Sequence, residues 1–160
     1  EIYIHGHEIT KLNEHSLYAV RKEVAYVFQN GALFDSMTVF ENIAYPLREH
    51  TEYNEIEIQE NVQDLLREFN LTGAEQLMPS ELSGGMLKRV GLARAIALNP
   101  QIILYDEPTA GLDPANTKNI CELILRLKSK GVSSILVTHD MDSALTVCDR
   151  ICFLKNGGIQ

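Results

Sequence analysis

The sequence predicts an α/β fold in which a mostly parallel β-sheet is wrapped by helices. Two apolar runs, residues 102–105 and 134–138, do not alternate between apolar and polar residues as a strand with one solvent-exposed face does. The lack of alternation is typical of central parallel strands. A helical pattern lies between them, and parallel strands are usually connected through such a helix. At 160 residues, the chain has room for one domain with a real core.

The first half of the chain predicts a hairpin, two helices and one strand. Residues 1–9 alternate and break at Gly6, which indicates an antiparallel strand and a turn. Residues 13–21 predict a short helix, and residues 24–28 predict an apolar strand. Residues 55–71 predict an amphipathic helix. The inward positions of the two helices are Leu12, Leu17 and Val20 in the first, and Ile58, Val62, Leu65, Leu66 and Phe69 in the second.

Residues 32–46 carry much apolar surface next to a polar loop. These side chains can pack into the core or, if exposed, form a groove for a partner helix. We expect some of these side chains to pack into the core and others to contact a partner. The apolar residues concerned are Leu33, Phe34, Met37, Val39 and Phe40.

A turn of small residues, Ser83-Gly84-Gly85, opens the next helix. Ser83 is predicted to cap that helix, and the backbone N–H groups of Gly84 and Gly85 can form a nest for a phosphate at the positive end of the helix dipole. The turn is therefore a candidate nucleotide-binding element.

Two carboxylates, Asp106 and Glu107, directly follow the run 102–105, at the strand end where α/β sheets place their chemistry. Asp113 is then predicted to cap a helix with Pro114 in its first turn. The buried stripe of that helix is Ile120, Leu123, Ile124 and Leu127, and Gly131 ends it.

His139 follows the run 134–138, so it too lies at the carboxyl end of a predicted strand. A helix at residues 141–148, a strand at 150–155 and a turn at 156–158 complete the pattern. A histidine at the end of one predicted strand and two carboxylates at the end of another favour a hydrolytic site.

Composition excludes several classes of protein. The net charge of −8 argues against a general nucleic-acid partner. We find no apolar run long enough to span a bilayer and expect no signal peptide. Three cysteines without a CxxC favour a reducing compartment and no zinc site. A metal site at His5 and His7 is disfavoured, because no Cys ligand lies close by in sequence.

Four motifs in this order resemble the ATPase subunit of ABC transporters: Leu82-Ser83-Gly84-Gly85, the strand ending Asp106-Glu107, Gly111-Leu112-Asp113 and Thr138-His139-Asp140. Met86 with Lys88-Arg89, together with residues 31–36 and 45–48, is most similar to the Mla-type phospholipid-trafficking branch. Met86 stands where the family most often has glutamine. This difference leaves Ser83 and the two glycine N–H groups, which would face the phosphate, unchanged. The resemblance implies a P-loop NTPase-like fold, with core parts at 1–30 and 100–160. It also implies that about 31–99 holds the Q-loop, the flexible loop that begins at Gln29, and a small helical subdomain with the signature motif Leu82-Ser83-Gly84-Gly85.

The resemblance also implies ATP and Mg²⁺ as ligands and assigns roles in hydrolysis. Gln29 and Asp106 would bind the metal, and Glu107 would act as general base on the attacking water. His139 would hydrogen-bond the γ-phosphate and orient both the water and Glu107.

Two protomers packed head to tail are implied as the active form. Ser83, Gly84 and Gly85 would close over the γ-phosphate held by the opposite protomer, and Asp113 would lie at the dimer seam. A transmembrane permease is the implied partner, with the protein cytoplasmic and peripheral at the inner face of the membrane. The implied function is ATP hydrolysis that powers transport, with lipid as the cargo.

The phosphate-binding loop GxxxxGK[ST] is not found, because the chain contains no Gly-Lys dipeptide. We therefore expect the domain to be cut at both ends and the 160-residue chain alone to be inactive. Two alternatives stay open: a non-catalytic regulatory module of the same fold, and a soluble ATPase of the family that serves no transporter. An ATPase acting on DNA ends is disfavoured, since the stretch from Gln29 to Ser83 is too short for a coiled-coil insertion.

Overall fold

The structure is a computed structural model that describes residues 1–159; Gln160, the last residue of the predicted domain, lies outside the described residues. In chain order the elements are β1 (Tyr3–Ile4), β2 (His7–Glu8), α1 (Glu14–Glu23), β3 (Val24–Val27), α2 (Val39–His50), α3 (Glu55–Glu68), a 3-10 turn (Pro79–Glu81), α4 (Gly84–Ile96), β4 (Ile102–Asp106), α5 (Pro114–Ser129), β5 (Ser133–Val137), α6 (Met141–Val147), β6 (Leu154–Lys155) and β7 (Gly158–Ile159). Over this range, no helix combines the length and the hydropathy needed to cross a membrane.

The central sheet is parallel, with strand order β3-β4-β5. Val27 pairs with Tyr105, and Asp106 pairs with Val137, so the three strands end at the same edge. Helix α5 connects β4 to β5 in the manner of a βαβ unit. The predicted α/β fold with a parallel sheet and surrounding helices is confirmed.

Helix α5 forms where the sequence predicts it. The Asp113 side chain caps its first turn by accepting a hydrogen bond from the Asn116 N–H at 3.0 Å, and Pro114 occupies the first helical position. The predicted stripe is buried in the core: Ile120, Leu123, Ile124 and Leu127.

Helix α3 begins at the predicted residue and is held by a capping box between Asn54 and Glu57. It ends at Glu68, three residues before the predicted end, and Asn70 then adopts a left-handed φ of 53°. Helix α1 is only half-buried along its apolar side, so its predicted inward face lies at the surface of the core.

Helix α2 was not predicted. Thr38 and Glu41 form a capping box at its start, and Pro46 lies inside it. Val39 is fully buried, while the Phe34 ring is 42% exposed and lies 5.0 Å from the Tyr45 ring between centroids. The segment thus divides between core and surface, as expected for residues 32–46.

Two strand predictions need correction. The strand predicted at 150–155 is reduced to β6, which pairs only with β7 in an exposed antiparallel hairpin, because no neighbouring strand of the described sheet reaches residues 150–153. Strand β5 was expected to be buried on both faces, yet Ile135 is 61% and Val137 59% exposed, since β5 is an edge strand within residues 1–159.

One face of the sheet is packed and the other is open. Ile103 and Tyr105 point into the core, at 0% and 1% exposure. The open face carries exposed apolar side chains on both sides of β4, Tyr26 and Phe28 at the end of β3 and Ile135 and Val137 on β5. The packed core extends from the sheet through α2, α3, α4 and α5. The division into core parts and a helical subdomain stays a prediction.

Candidate functional site

Three loops meet at the carboxyl edge of the sheet. Gln29 follows β3, Asp106 and Glu107 end β4, and His139 follows β5. Because these strands are parallel neighbours, the predicted hydrolytic residues lie at one edge, as expected for an α/β site.

Glu107 has an unusual backbone for a residue with a side chain. Its φ is 46°, in the left-handed region, which costs about 1–3 kcal/mol for a non-glycine residue. Its N–H donates to the Val137 carbonyl at 2.9 Å, which extends the sheet ladder beyond the end of β4. This conformation turns the Glu107 carboxylate toward the loop after β5.

The Glu107 carboxylate is held by three donors from that loop. Oε2 accepts from the Thr138 hydroxyl at 3.1 Å, and Oε1 accepts from the His139 backbone N–H at 3.0 Å. His139 Nδ1 lies 2.8 Å from Oε1 and forms an ion pair with it when the imidazole is protonated. The side chain of Glu107 is 19% exposed, whereas that of His139 is 81% exposed. The imidazole therefore remains accessible to a ligand.

The two side chains of this pair shift each other's acidity. Burial raises the pKa of Glu107, but the hydrogen bonds from His139 and Thr138 outweigh it, so the pKa is lowered overall. The hydrogen bond to Glu107, with its negative charge, raises the pKa of His139. The ion pair weakens as pH falls through the lowered pKa of Glu107 and as pH rises through the raised pKa of His139.

In an NMR titration of the metal-free protein, we expect the His139 imidazole to titrate above the ordinary value of about 6.5. Glu107→Gln keeps an acceptor oxygen but removes the charge, so the midpoint should fall toward that ordinary value. An unchanged midpoint in the variant would show that Glu107 is not the cause of the shift.

Asp106 is the residue best suited to a divalent metal. Its Oδ2 accepts from the Tyr26 hydroxyl at 3.1 Å, and Oδ1 has no partner among residues 1–159. An oxygen donor set of one carboxylate and the Gln29 amide fits Mg²⁺, which is usually held by one or two carboxylates together with substrate phosphates. No group of three or more His, Cys, Asp or Glu within the described part of the chain could hold a metal ion alone.

The loop after Gln29 is anchored to α4 and α2. Arg94 donates to the carbonyls of Gly31 and Ala32 at 3.0 and 2.8 Å. The Asn42 side chain is completely buried and both donates to and accepts from the backbone of Phe34. Gln29 itself makes no side-chain hydrogen bond within residues 1–159, so its amide is free while the following residues are fixed.

The signature turn Ser83–Gly85 forms a second cluster. The Ser83 Oγ accepts from the Met86 N–H at 3.3 Å, which confirms the predicted cap. A Cβ on Gly85 would lie 2.5 Å from the Asn116 Oδ1, so a larger residue there would require the Asn116 side chain to move. Asn116 also donates to Asp113 within the start of α5, and its close approach to Gly85 places the start of α5 beside the start of α4.

Within the described residues, no hydrogen bond joins the signature turn to Gln29, Asp106, Glu107 or His139. The predicted residues therefore separate into a hydrolytic cluster and a signature cluster. Such a separation suits a site completed by a second protomer.

Sequence reasoning missed four contributors to these clusters: Tyr26, Lys88, Asn116 and Thr138. Thr138 could have been found, because a hydroxyl directly before His139 at a strand end is well placed to support a neighbouring carboxylate. Tyr26 and Asn116 act on partners that only the tertiary structure brings near. Lys88 donates to the carbonyls of Glu107 and Ala110, 19 and 22 residues away. No pattern in the sequence around Lys88 predicts such long-range bonds.

Sequence comparisons relate the chain to known proteins. The family described as ABC transporter matches residues 1–110. The intermembrane phospholipid transport system ATP-binding protein MlaF of Escherichia coli (strain K12) is 45% identical over 157 residues, covering 98% of this chain and 58% of that protein. The probable ribonucleotide transport ATP-binding protein mkl of Mycobacterium leprae (strain TN) is 46% identical over 154 residues, covering 96% of this chain and 44% of that protein. The chain thus spans about half the length of these relatives.

Structural comparisons agree. A dimeric ATP-binding cassette in a post-hydrolysis state, bound to ADP and Pi, superposes with a TM-score of 0.89 at 32% identity, covering 99% of this chain and 70% of that one. The protein cbiO1 of Clostridium perfringens, part of the transporter complex cbiONQ, superposes with a TM-score of 0.83 at 27% identity, covering 92% and 59%.

Proposed function

The chain belongs to the ABC transporter family, and on this premise we propose that the protein hydrolyses ATP as the subunit that powers a membrane transporter. The observation that carries this proposal is the pair of carboxylates at the end of β4, where Asp106 keeps an oxygen free and Glu107 is held by His139 and Thr138. A domain that only binds a partner has no need of two acids with separate environments.

The residues divide the chemistry of hydrolysis between them. Glu107 accepts the proton of the attacking water at its carboxylate, and its donors from the β5 loop keep that carboxylate ionised. His139 uses its exposed ring to orient the γ-phosphate and the water relative to Glu107. Asp106 and Gln29 hold Mg²⁺, which supplies charge neutralisation of the phosphates when it is bound.

The signature cluster acts on the nucleotide of a partner. Ser83, Gly84 and Gly85 present a hydroxyl and the N–H groups of a helix N-terminus, which favour a phosphate. Since this cluster makes no hydrogen bond to the hydrolytic residues of its own chain within residues 1–159, we propose a head-to-tail dimer with Asp113 at the seam. The neighbouring solved structure that holds ADP and Pi is also dimeric.

The cargo we propose is a phospholipid or another lipid. MlaF carries a name that specifies phospholipid transport, while mkl carries one that specifies ribonucleotide transport. The motif around Met86 and Lys88 favours the former branch. A permease would hold the protein at the inner face of the membrane, and the exposed Phe34 and Tyr45 rings offer it an apolar contact.

The test is to purify the full-length protein with its permease and reconstitute both into vesicles that contain labelled phospholipid. ATP-dependent movement of the lipid between bilayers is expected. Hydrolysis without lipid movement would remove the lipid cargo but keep the ATPase. Absence of any hydrolysis by the reconstituted complex would favour the non-catalytic module.

Replacing Ser83 with arginine tests the dimer. We expect Ser83→Arg to lower hydrolysis by about tenfold or more, because a bulky cation would block closure over the γ-phosphate. Equilibrium ATP binding to the monomer should be nearly unchanged, since Ser83 would serve the opposite site. The control is Ser129→Arg at the far end of α5, which adds the same charge away from the seam. A large loss of monomer affinity in Ser83→Arg would mean that Ser83 serves its own site.

A further inference from the structure

Lys88 connects the two clusters of the site. It lies one turn after Gly84 on α4, the helix that begins at the signature turn. Its ammonium donates to the Glu107 carbonyl at 3.2 Å and to the Ala110 carbonyl at 2.6 Å. The described residues offer it no carboxylate as a salt-bridge partner, so these two carbonyl dipoles are its ligands.

The two carbonyls belong to one tight turn. The Ala110 N–H donates to the Glu107 carbonyl at 3.2 Å, so the turn closes on itself from residue 107 to residue 110. Lys88 contacts the first and last carbonyl of this turn from one side. Burial lowers the pKa of Lys88, which shows that its ammonium has lost part of its water and depends on these two acceptors.

The turn begins with the strained residue. Glu107 has a left-handed φ, and such a conformation persists only where its surroundings hold it. Its N–H is bound by Val137 and its carbonyl by Lys88, so both of its backbone groups are held. Without Lys88, the Glu107 carbonyl would keep only its bond from the Ala110 N–H inside the turn, and the backbone that aims the carboxylate would lose its link to α4.

We propose that Lys88 is a positioning residue for hydrolysis, because it fixes the Glu107–Ala110 turn to the helix that carries the signature turn. The inference rests on the proposed role of Glu107 as general base. The Lys88 ammonium donates to two backbone carbonyls of this turn. Its loss should therefore act on the orientation of the Glu107 carboxylate and leave ATP binding alone, and small displacements of a reacting group are costly in rate.

The test uses the full-length protein with Lys88→Met, Lys88→Gln and Lys88→Arg. We expect kcat to fall about 10-fold in Lys88→Met with KM for ATP within about twofold of wild type, and to fall less in Lys88→Gln, which keeps one neutral donor. Lys88→Arg should recover kcat to within about threefold, since a guanidinium can donate to both carbonyls. If Lys88→Met does not fold, the Gln and Arg variants carry the same comparison.

The matched control is Lys128→Met, which removes another lysine that donates to a backbone carbonyl, that of Val147, away from the site. It should lower the melting temperature without changing kcat. A kcat in Lys88→Met within twofold of wild type would overturn the proposal, as would a loss that Lys88→Arg does not recover. If Glu107→Gln keeps normal turnover, the proposed function itself fails; if only the Lys88 variants keep it, this inference alone fails.

Discussion

Replacing Glu107 with glutamine in the full-length protein is expected to cut ATP turnover by about 10²-fold or more while leaving ATP binding intact. Glutamine keeps the size of the side chain and one oxygen, which can still accept from Thr138 or from His139. It loses the ability to take a proton from water. The ATP-bound dimer should accumulate, because closure proceeds and hydrolysis does not.

The measurements are steady-state hydrolysis, nucleotide affinity and sedimentation in the presence of ATP. Glu122→Gln is the control, since Glu122 is an exposed carboxylate on α5 whose only ion pair, within residues 1–159, is to Lys118 at 3.9 Å. It should hydrolyse ATP at the wild-type rate. Near-normal turnover in Glu107→Gln would remove Glu107 from the role of base.

Sequence reasoning succeeded where local signals decide the structure. Helix α5 has its Asp113 cap, its Pro114 first turn and a regular apolar stripe, so its neighbours in sequence are enough to specify it. Helix α2 was missed although Thr38 and Glu41 have the spacing of a capping box, because residues 32–46 were interpreted only through their apolar surface. The Asn42 side chain of α2 is buried because the loop at 34–38 folds around it and accepts its hydrogen bonds. The sequence alone does not predict that arrangement.

The same distinction holds for the site. The ends of parallel strands meet at one edge by topology, so Asp106, Glu107 and His139 could be placed together before the structure was known. The left-handed backbone at Glu107 could not, because glutamate has no intrinsic preference for it. Lys88 was equally hidden, since a lysine on a helix is usually a solvated charge.

The exposure of β5 was misjudged for a related reason. A continuous apolar run predicts burial on both faces, yet it does not say which part of the chain covers each face. Within residues 1–159, Ile135 and Val137 meet solvent on the open face, and β4 separates them from the exposed Tyr26 and Phe28 at the end of β3. Exposed apolar surface on a sheet face usually has a partner.

The last prediction concerns a polypeptide of residues 1–160 expressed alone. We expect it to bind ATP·Mg²⁺ no more tightly than millimolar, a free energy of only about −4 kcal/mol. The chain has no GxxxxGK[ST] loop to hold the β- and γ-phosphates. Asp106 and Gln29 would bind Mg²⁺ mainly through those phosphates, and Mg²⁺ gives up its water reluctantly. Without an ordered triphosphate, Asp106 and Gln29 would bind the metal only weakly.

The same polypeptide should be marginally stable or should self-associate through its open sheet face and strand edge, which sedimentation at several concentrations would detect. Calorimetric titration with ATP·Mg²⁺ measures the affinity, and Asp106→Asn in the same polypeptide is the control, because it should leave so weak an affinity unchanged. Micromolar binding that Asp106→Asn weakens would contradict the prediction. It would mean that residues 1–160 hold the phosphates through groups other than a phosphate loop, and the roles proposed for Gln29 and Asp106 would then have to be assigned anew.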